Sequence, residues 1–87
     1  MIQRSGDWLT ARVGAEIMMM SAAKGNYLGI NEVGARIWDL IDPPIELATL
    51  CDRLTREFEI SIDQCRIEVG AFLADMEKHG AIAIDPA

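Results

Sequence analysis

Cys51, Cys65 and His79 are the side chains of this 87-residue chain with the most chemistry to offer, as a disulfide, a metal pair or a general base. Their positions argue against all three. Both cysteines fall at apolar positions of helical repeats, where a thiol behaves as a small buried hydrophobe. A zinc site would need partners at short spacing, yet neither cysteine has a second within knuckle distance and the chain holds one histidine. His79 stands at an expected helix end, where capping or the helix dipole accounts for it. No glycine-rich phosphate loop, paired-cysteine motif or nucleophile elbow occurs, and the carboxylates lie mostly on helix faces expected to be wet. The expectation is a protein that is not an enzyme and holds no metal or cofactor.

Size points the same way, because a chain this short buries only roughly 60 to 65% of the surface it exposes when unfolded, leaving little core to hollow into a cleft. The composition, 51% hydrophobic and 25% charged, is that of a soluble globular protein. No apolar run is long enough to span a bilayer, and Arg4 and Asp7 interrupt what would be the apolar part of a signal peptide. One domain over residues 1–87, cytoplasmic and with reduced thiols, is therefore expected.

The net charge of −6 is unevenly placed. Residues 1–30 carry three basic and two acidic side chains, whereas residues 31–87 carry five basic and twelve acidic ones. The second part would repel a phosphate backbone, so no nucleic-acid partner and no membrane are expected.

The elements that must position any site begin with the segment NYLGINEVGARIWDLID, residues 26–42. Asn26–Ile30 alternates on a period of two, with Asn26, Leu28 and Ile30 on one face and Tyr27 and Gly29 on the other. Asn31 is placed to cap a helix in which Val33, Ile37, Trp38 and Ile41 face a core. Asp42-Pro43-Pro44 ends it, since proline has no amide to donate and disfavours helix in the residue before it. Upstream, Trp8–Val13 and Glu16–Ser21 read as strands joined at Gly14, with Lys24-Gly25-Asn26 turning into the next, so three strands form an antiparallel meander. The triplet Met18-Met19-Met20 must divide between two faces, Met19 opposite its neighbours. Downstream, Leu47, Leu50, Cys51, Leu54 and Phe58 mark a second helix. Ser61 and Gln64 form a capping box for a third, which ends near Gly80, and a short strand at 81–84 can follow. On the third helix Ile62, Cys65, Val69, Phe72, Leu73 and Met76 make the core face. Ile67, Gly70, Ala71 and Ala74 lie on a flank bordered by Arg66, Glu77 and Lys78, where small side chains lower the wall and leave room for a groove or simply form surface.

The order of three strands and three helices, with the phrase YLGINEVGARIWDLI, resembles the PqqD-like family of peptide-recognition proteins, the leader-binding or RiPP recognition elements of ribosomally made, post-translationally modified peptides. The resemblance runs from about Trp8 to Ile84 and extends more loosely to CDRLTREFEIS and VGAFLADMEKHGAI. Members serving pyrroloquinoline quinone synthesis usually show Pro-Glu before the first helix and Cys-Asp-Gly after it. This chain has Gly29-Ile30-Asn31 and Ile41-Asp42-Pro43, and looks more like the free-standing proteins of lasso-peptide clusters.

The resemblance implies an α+β fold, a winged helix-turn-helix with a three-stranded antiparallel sheet followed by three helices. It implies that a precursor's leader peptide adds as a strand beside Tyr27, Leu28, Gly29 and Ile30, against a helical wall of Arg66, Ile67, Gly70, Leu73, Ala74 and Glu77. The expected partners are that leader and a separate leader peptidase or peptide-modifying enzyme. A pyrroloquinoline quinone pathway, a winged-helix DNA-binding domain and a purely structural subunit are the competing readings. The acidic third helix, with Asp63, Glu68, Asp75 and Glu77 against Arg66 and Lys78, opposes the DNA reading.

Overall fold

Gly14 and Gly25 both take positive φ, 64° and 70°, and each closes a tight connection between strands. The computed structural model describes residues 1–85 and joins β2 (Trp8–Val13), β3 (Glu16–Ser21) and β4 (Asn26–Ile30) into an antiparallel sheet of order β2-β3-β4. Register sets Thr10, Met19 and Leu28 in one inward row and Leu9, Met20 and Tyr27 in the adjacent outward one. The methionine triplet divides as expected, with Met19 buried and Met18 exposed. Asp7 accepts from the buried Ser21 hydroxyl at 3.1 Å and from the Ala23 amide at 3.3 Å, which anchors the β3–β4 turn.

Three helices cover the inner face. In α1 (Glu32–Leu40) the Asn31 side chain accepts the Gly34 amide at 2.9 Å, a cap that contributes about 1 kcal/mol. α2 (Leu47–Phe58) follows the prolines. α3 (Ile62–Lys78) starts on Ser61, whose hydroxyl accepts the Gln64 amide at 3.1 Å. The expected reciprocal half of that capping box is missing, because the Gln64 side chain donates instead to Glu68, one turn on, at 3.1 Å. At the other end the Gly80 amide bonds the Glu77 carbonyl and the Ala81 amide bonds the Met76 carbonyl, with Gly80 left-handed at φ 76°. That is a complete Schellman stop, and it turns the chain into β5 (Ile82–Ile84).

The core joins Ile17, Met19 and Ile30 of the sheet to Ile37, Trp38 and Ile41, to Leu50, Cys51 and Leu54, and to Cys65, Val69, Leu73 and Met76. Two expectations about it fail. Leu47 and Ile62, assigned to core faces, are 51% and 44% exposed, because each lies in the first turn of its helix where neither reaches the packed centre. A further strand, β1 (Ile2–Arg4), pairs with β5 and bridges to Ile45. Arg4 fixes it by donating twice to the Trp38 carbonyl, at 3.0 and 2.8 Å, while its guanidinium lies 4.6 Å from the Trp38 ring centre. Among the described residues no helix is long and apolar enough to cross a membrane.

Candidate functional site

A sheet of three strands has two edges, and their chemistry differs here. On β2, Arg12 points to the inner face and pairs with Asp39 of α1. An inward charge on an edge strand discourages pairing with a further strand. β4 reads NYLGI and carries no charge. It pairs with β3 alone, and among the described residues Tyr27–Ile30 makes no backbone hydrogen bond outside that ladder. Its free amides and carbonyls are a template for an extended segment.

α3 lies alongside this edge. A Cβ placed on Gly34 would fall 2.7 Å from the Phe72 ring and 3.3 Å from Ile30, so Phe72 is seated where β4 passes into α1. Towards the opposite end of β4, the Lys24 ammonium approaches Gly80, whose carbonyl accepts weakly from Trp8 Nε1 at 3.5 Å. Between α3 and the start of α1 opens a cleft of about 330 Å³, lined by Asn31, Val33, Gly34, Ile37, Glu68, Ala71 and Phe72.

The residues expected from the resemblance divide. Tyr27, Leu28, Gly29 and Ile30 form the β4 edge, with Tyr27 exposed on the outer face and Ile30 buried beneath it. Arg66, Gly70, Leu73, Ala74 and Glu77 come together, but they line a pocket of about 250 Å³ with Leu47, Cys51 and Ile84. This flank faces α2 and β5 and lies roughly opposite Glu68, Ala71 and Phe72 around the helix. Leu73 is itself buried, and Ile67 stands on the outward crest between the two flanks. The pocket continues into a hollow of about 390 Å³ under Leu47, Ala48, Cys51, Ile62 and Arg66.

Sequence reasoning missed Glu68 and assigned Phe72 wholly to the core. A signal was present in Gly34, since a glycine inside a helix costs up to about 1 kcal/mol against alanine and here makes room for the Phe72 ring.

The titratable groups hold the frame together. Arg36 donates to both oxygens of Glu57, at 2.6 and 3.2 Å, tying α1 to α2 and holding the Glu57 carboxyl below the usual carboxylate range. Burial, reinforced by Cys51, pushes the Cys65 thiol up to about 11. His79 Nδ1 lies 2.8 Å from the Asp75 carbonyl at the end of α3, in keeping with a capping role.

The sequence matches the family described as Coenzyme PQQ synthesis protein D (PqqD) over residues 16–82. The chain belongs to the PqqD family. The matched span holds β3, β4, the three helices and the start of β5, so the PqqD match includes both the free edge and α3. Among solved structures the fold is shared with TbiB1, solved in complex with the TbiA(beta) leader peptide, at 19% identity and a TM-score of 0.84 over 98% of this chain and 99% of that one. No curated protein matches the chain.

Proposed function

We propose that this chain binds the leader segment of a ribosomally made precursor as an added strand on β4 and presents it to a separate peptidase or modifying enzyme. The observation that carries the proposal is the uncharged β4 edge, paired with β3 alone, with Phe72 of α3 seated where that strand passes into α1. Family membership and the fold shared with a leader-bound protein support it. In this reading the backbone of β4 supplies register and affinity, while the cleft beside Phe72 takes a leader side chain. Arg66, Gly70, Ala74 and Glu77, the wall that the resemblance implies, then lie outside the peptide's path, and Ile67 touches it at most from the crest.

The rest of the reading follows from that role. Residues 1–87 act as one cytoplasmic domain of winged helix-turn-helix type, a binder without catalysis of its own. Lasso-peptide biosynthesis is the pathway favoured by Gly29-Ile30-Asn31 and Ile41-Asp42-Pro43. Pyrroloquinoline quinone synthesis is the alternative that shares the mechanism. Duplex DNA is disfavoured, because α3 offers Asp63, Glu68, Asp75 and Glu77 against Arg66 and Lys78.

Titration with a labelled synthetic leader, from the precursor encoded beside the gene, tests the proposal together with amide hydrogen exchange. Saturable binding with new protection confined to Tyr27–Ile30 is the expected result. Sequence-specific DNA binding at physiological salt, with no leader affinity, would overturn it.

A further inference from the structure

The cleft between α3 and the start of α1 is lined mainly by Val33, Ile37, Ala71 and Phe72, and Glu68 is the one charged residue in that lining. Among the described residues no cation pairs with Glu68. Its hydrogen-bond partner is the neutral Gln64 amide, at 3.1 Å. The hollow on the other side of α1 is built differently, since its carboxylates Asp39 and Glu57 are matched within the chain by Arg12 and Arg36. The cleft beside Phe72 is therefore left with an uncompensated negative charge over an apolar floor.

Its place in the fold decides what would enter it. Asn31, which lines the cleft, follows Ile30 directly, so the cleft opens at the α1 end of β4. Ile30 is buried and turns towards the point where Phe72 meets Gly34. In a strand added to β4, the residue opposite Ile30 points to the same face, with its Cβ about 5 Å from that of Ile30, and so aims at the cleft. The charge at the other end of β4 is reversed. There the Lys24 ammonium lies beside Gly80, and among the described residues no carboxylate pairs with it.

Resting on the strand-addition reading above, we propose that the leader carries an arginine or lysine opposite Ile30 and that Glu68 selects it. Such a side chain meets both halves of the lining at once. Its aliphatic stem covers Val33, Ala71 and the Phe72 ring while its charged head reaches the Glu68 carboxylate. A purely apolar side chain would fill the same space but strip water from Glu68 without replacing it, and an acidic one would be repelled. Arginine suits the cleft better than lysine, because a planar guanidinium can lie on the Phe72 ring and offer two donors to one carboxylate. The opposite charge at Lys24 adds polarity to the groove, so that a basic residue is favoured at the α1 end and disfavoured at the Gly80 end.

A charge-reversal scan tests this. The labelled synthetic leader, from the precursor encoded beside the gene, is prepared with each arginine and lysine changed in turn to glutamate and titrated against wild type, Glu68→Lys and Glu77→Lys. The last variant makes the same change in net charge on the other flank of α3. One leader position should lose affinity at least tenfold on wild type, since reversal removes an attraction and adds a repulsion. Glu68→Lys should weaken the parent leader at least fivefold and bind the reversed leader within threefold of the original pair. Glu77→Lys should hold the parent leader within twofold and rescue nothing. Thermal midpoints establish that both variants are folded. Leader binding in which every reversal stays within twofold, or in which Glu68→Lys rescues no position, would overturn the inference and leave strand addition standing. So would tight binding of a leader that contains no arginine or lysine. Wild type with no leader affinity defeats the strand-addition reading itself, and this inference with it.

Discussion

The two flanks of α3 are built from similar side chains and differ in what lies beside them. One carries Glu68, Ala71 and Phe72 and faces the start of α1, where β4 ends with its free backbone edge. The other carries Arg66, Gly70, Ala74 and Glu77 and faces α2 and the short β5, which pairs with β1. Both hold pockets of a few hundred Å³. The first adjoins the longer, uncharged free edge of β4 in the three-stranded sheet, and it is that backbone, more than pocket size or apolar lining, on which the proposed peptide site rests.

The largest effect that would sharpen the comparison is expected on the first flank. Gly34→Leu places a side chain where Phe72 and Ile30 already sit, so it should cost about 1–3 kcal/mol of stability by overpacking and displace Phe72 from the cleft. Urea denaturation should show the loss, and leader affinity should fall with it; unaltered stability would mean that Phe72 is not seated against α1.

A smaller effect of opposite sign is expected from Gly70→Leu. A Cβ there meets no atom within 4 Å, and replacing an exposed helical glycine by leucine stabilises by up to about 1 kcal/mol. A rise in thermal midpoint checks this; a clear fall would place Gly70 inside the packing.

The smallest effect concerns the seam between α2 and α3. Cys65 is buried, and its thiol is pushed up to about 11 mainly by that burial. A raised pKa favours the neutral form in the folded state, so this contribution to stability is complete below the unfolded thiol value of 9.0 and is lost as pH rises through about 11. Alkylation at pH 8 should therefore be slow and follow unfolding. Rapid modification of Cys65 in the folded protein would show the seam between α2 and α3 to be open.

Much of this architecture is legible in the sequence. The bounds of β2, β3 and β4, the Asn31 and Ser61 caps and the glycine stop of α3 follow from local periodicity and cap chemistry, which act within a few residues. β1 does not, because Ile2–Arg4 is too short to display a period and is held by β5, Ile45 and Trp38 from far along the chain. The exposure of Leu47 and Ile62 is hidden for a similar reason, since a helical repeat shows which residues share a face without showing where the opposing helix runs out. The same limit governs the site. Helical phase places Gly70, Ala71 and Ala74 off the core, but whether β4 or α2 lies beside each of them depends on tertiary placement that no repeat encodes.

The central claim is that the peptide lies between β4 and the Ala71 side of α3. Leader affinity measured in parallel for Ala71→Trp and Gly70→Leu tests it most directly, since the two positions are adjacent in sequence, exposed, and turned towards different flanks. The account predicts that Ala71→Trp weakens binding at least tenfold, about 1.4 kcal/mol, while Gly70→Leu stays within twofold of wild type. Lost affinity in Gly70→Leu with full affinity in a folded Ala71→Trp would contradict it and put the peptide on the α2 side.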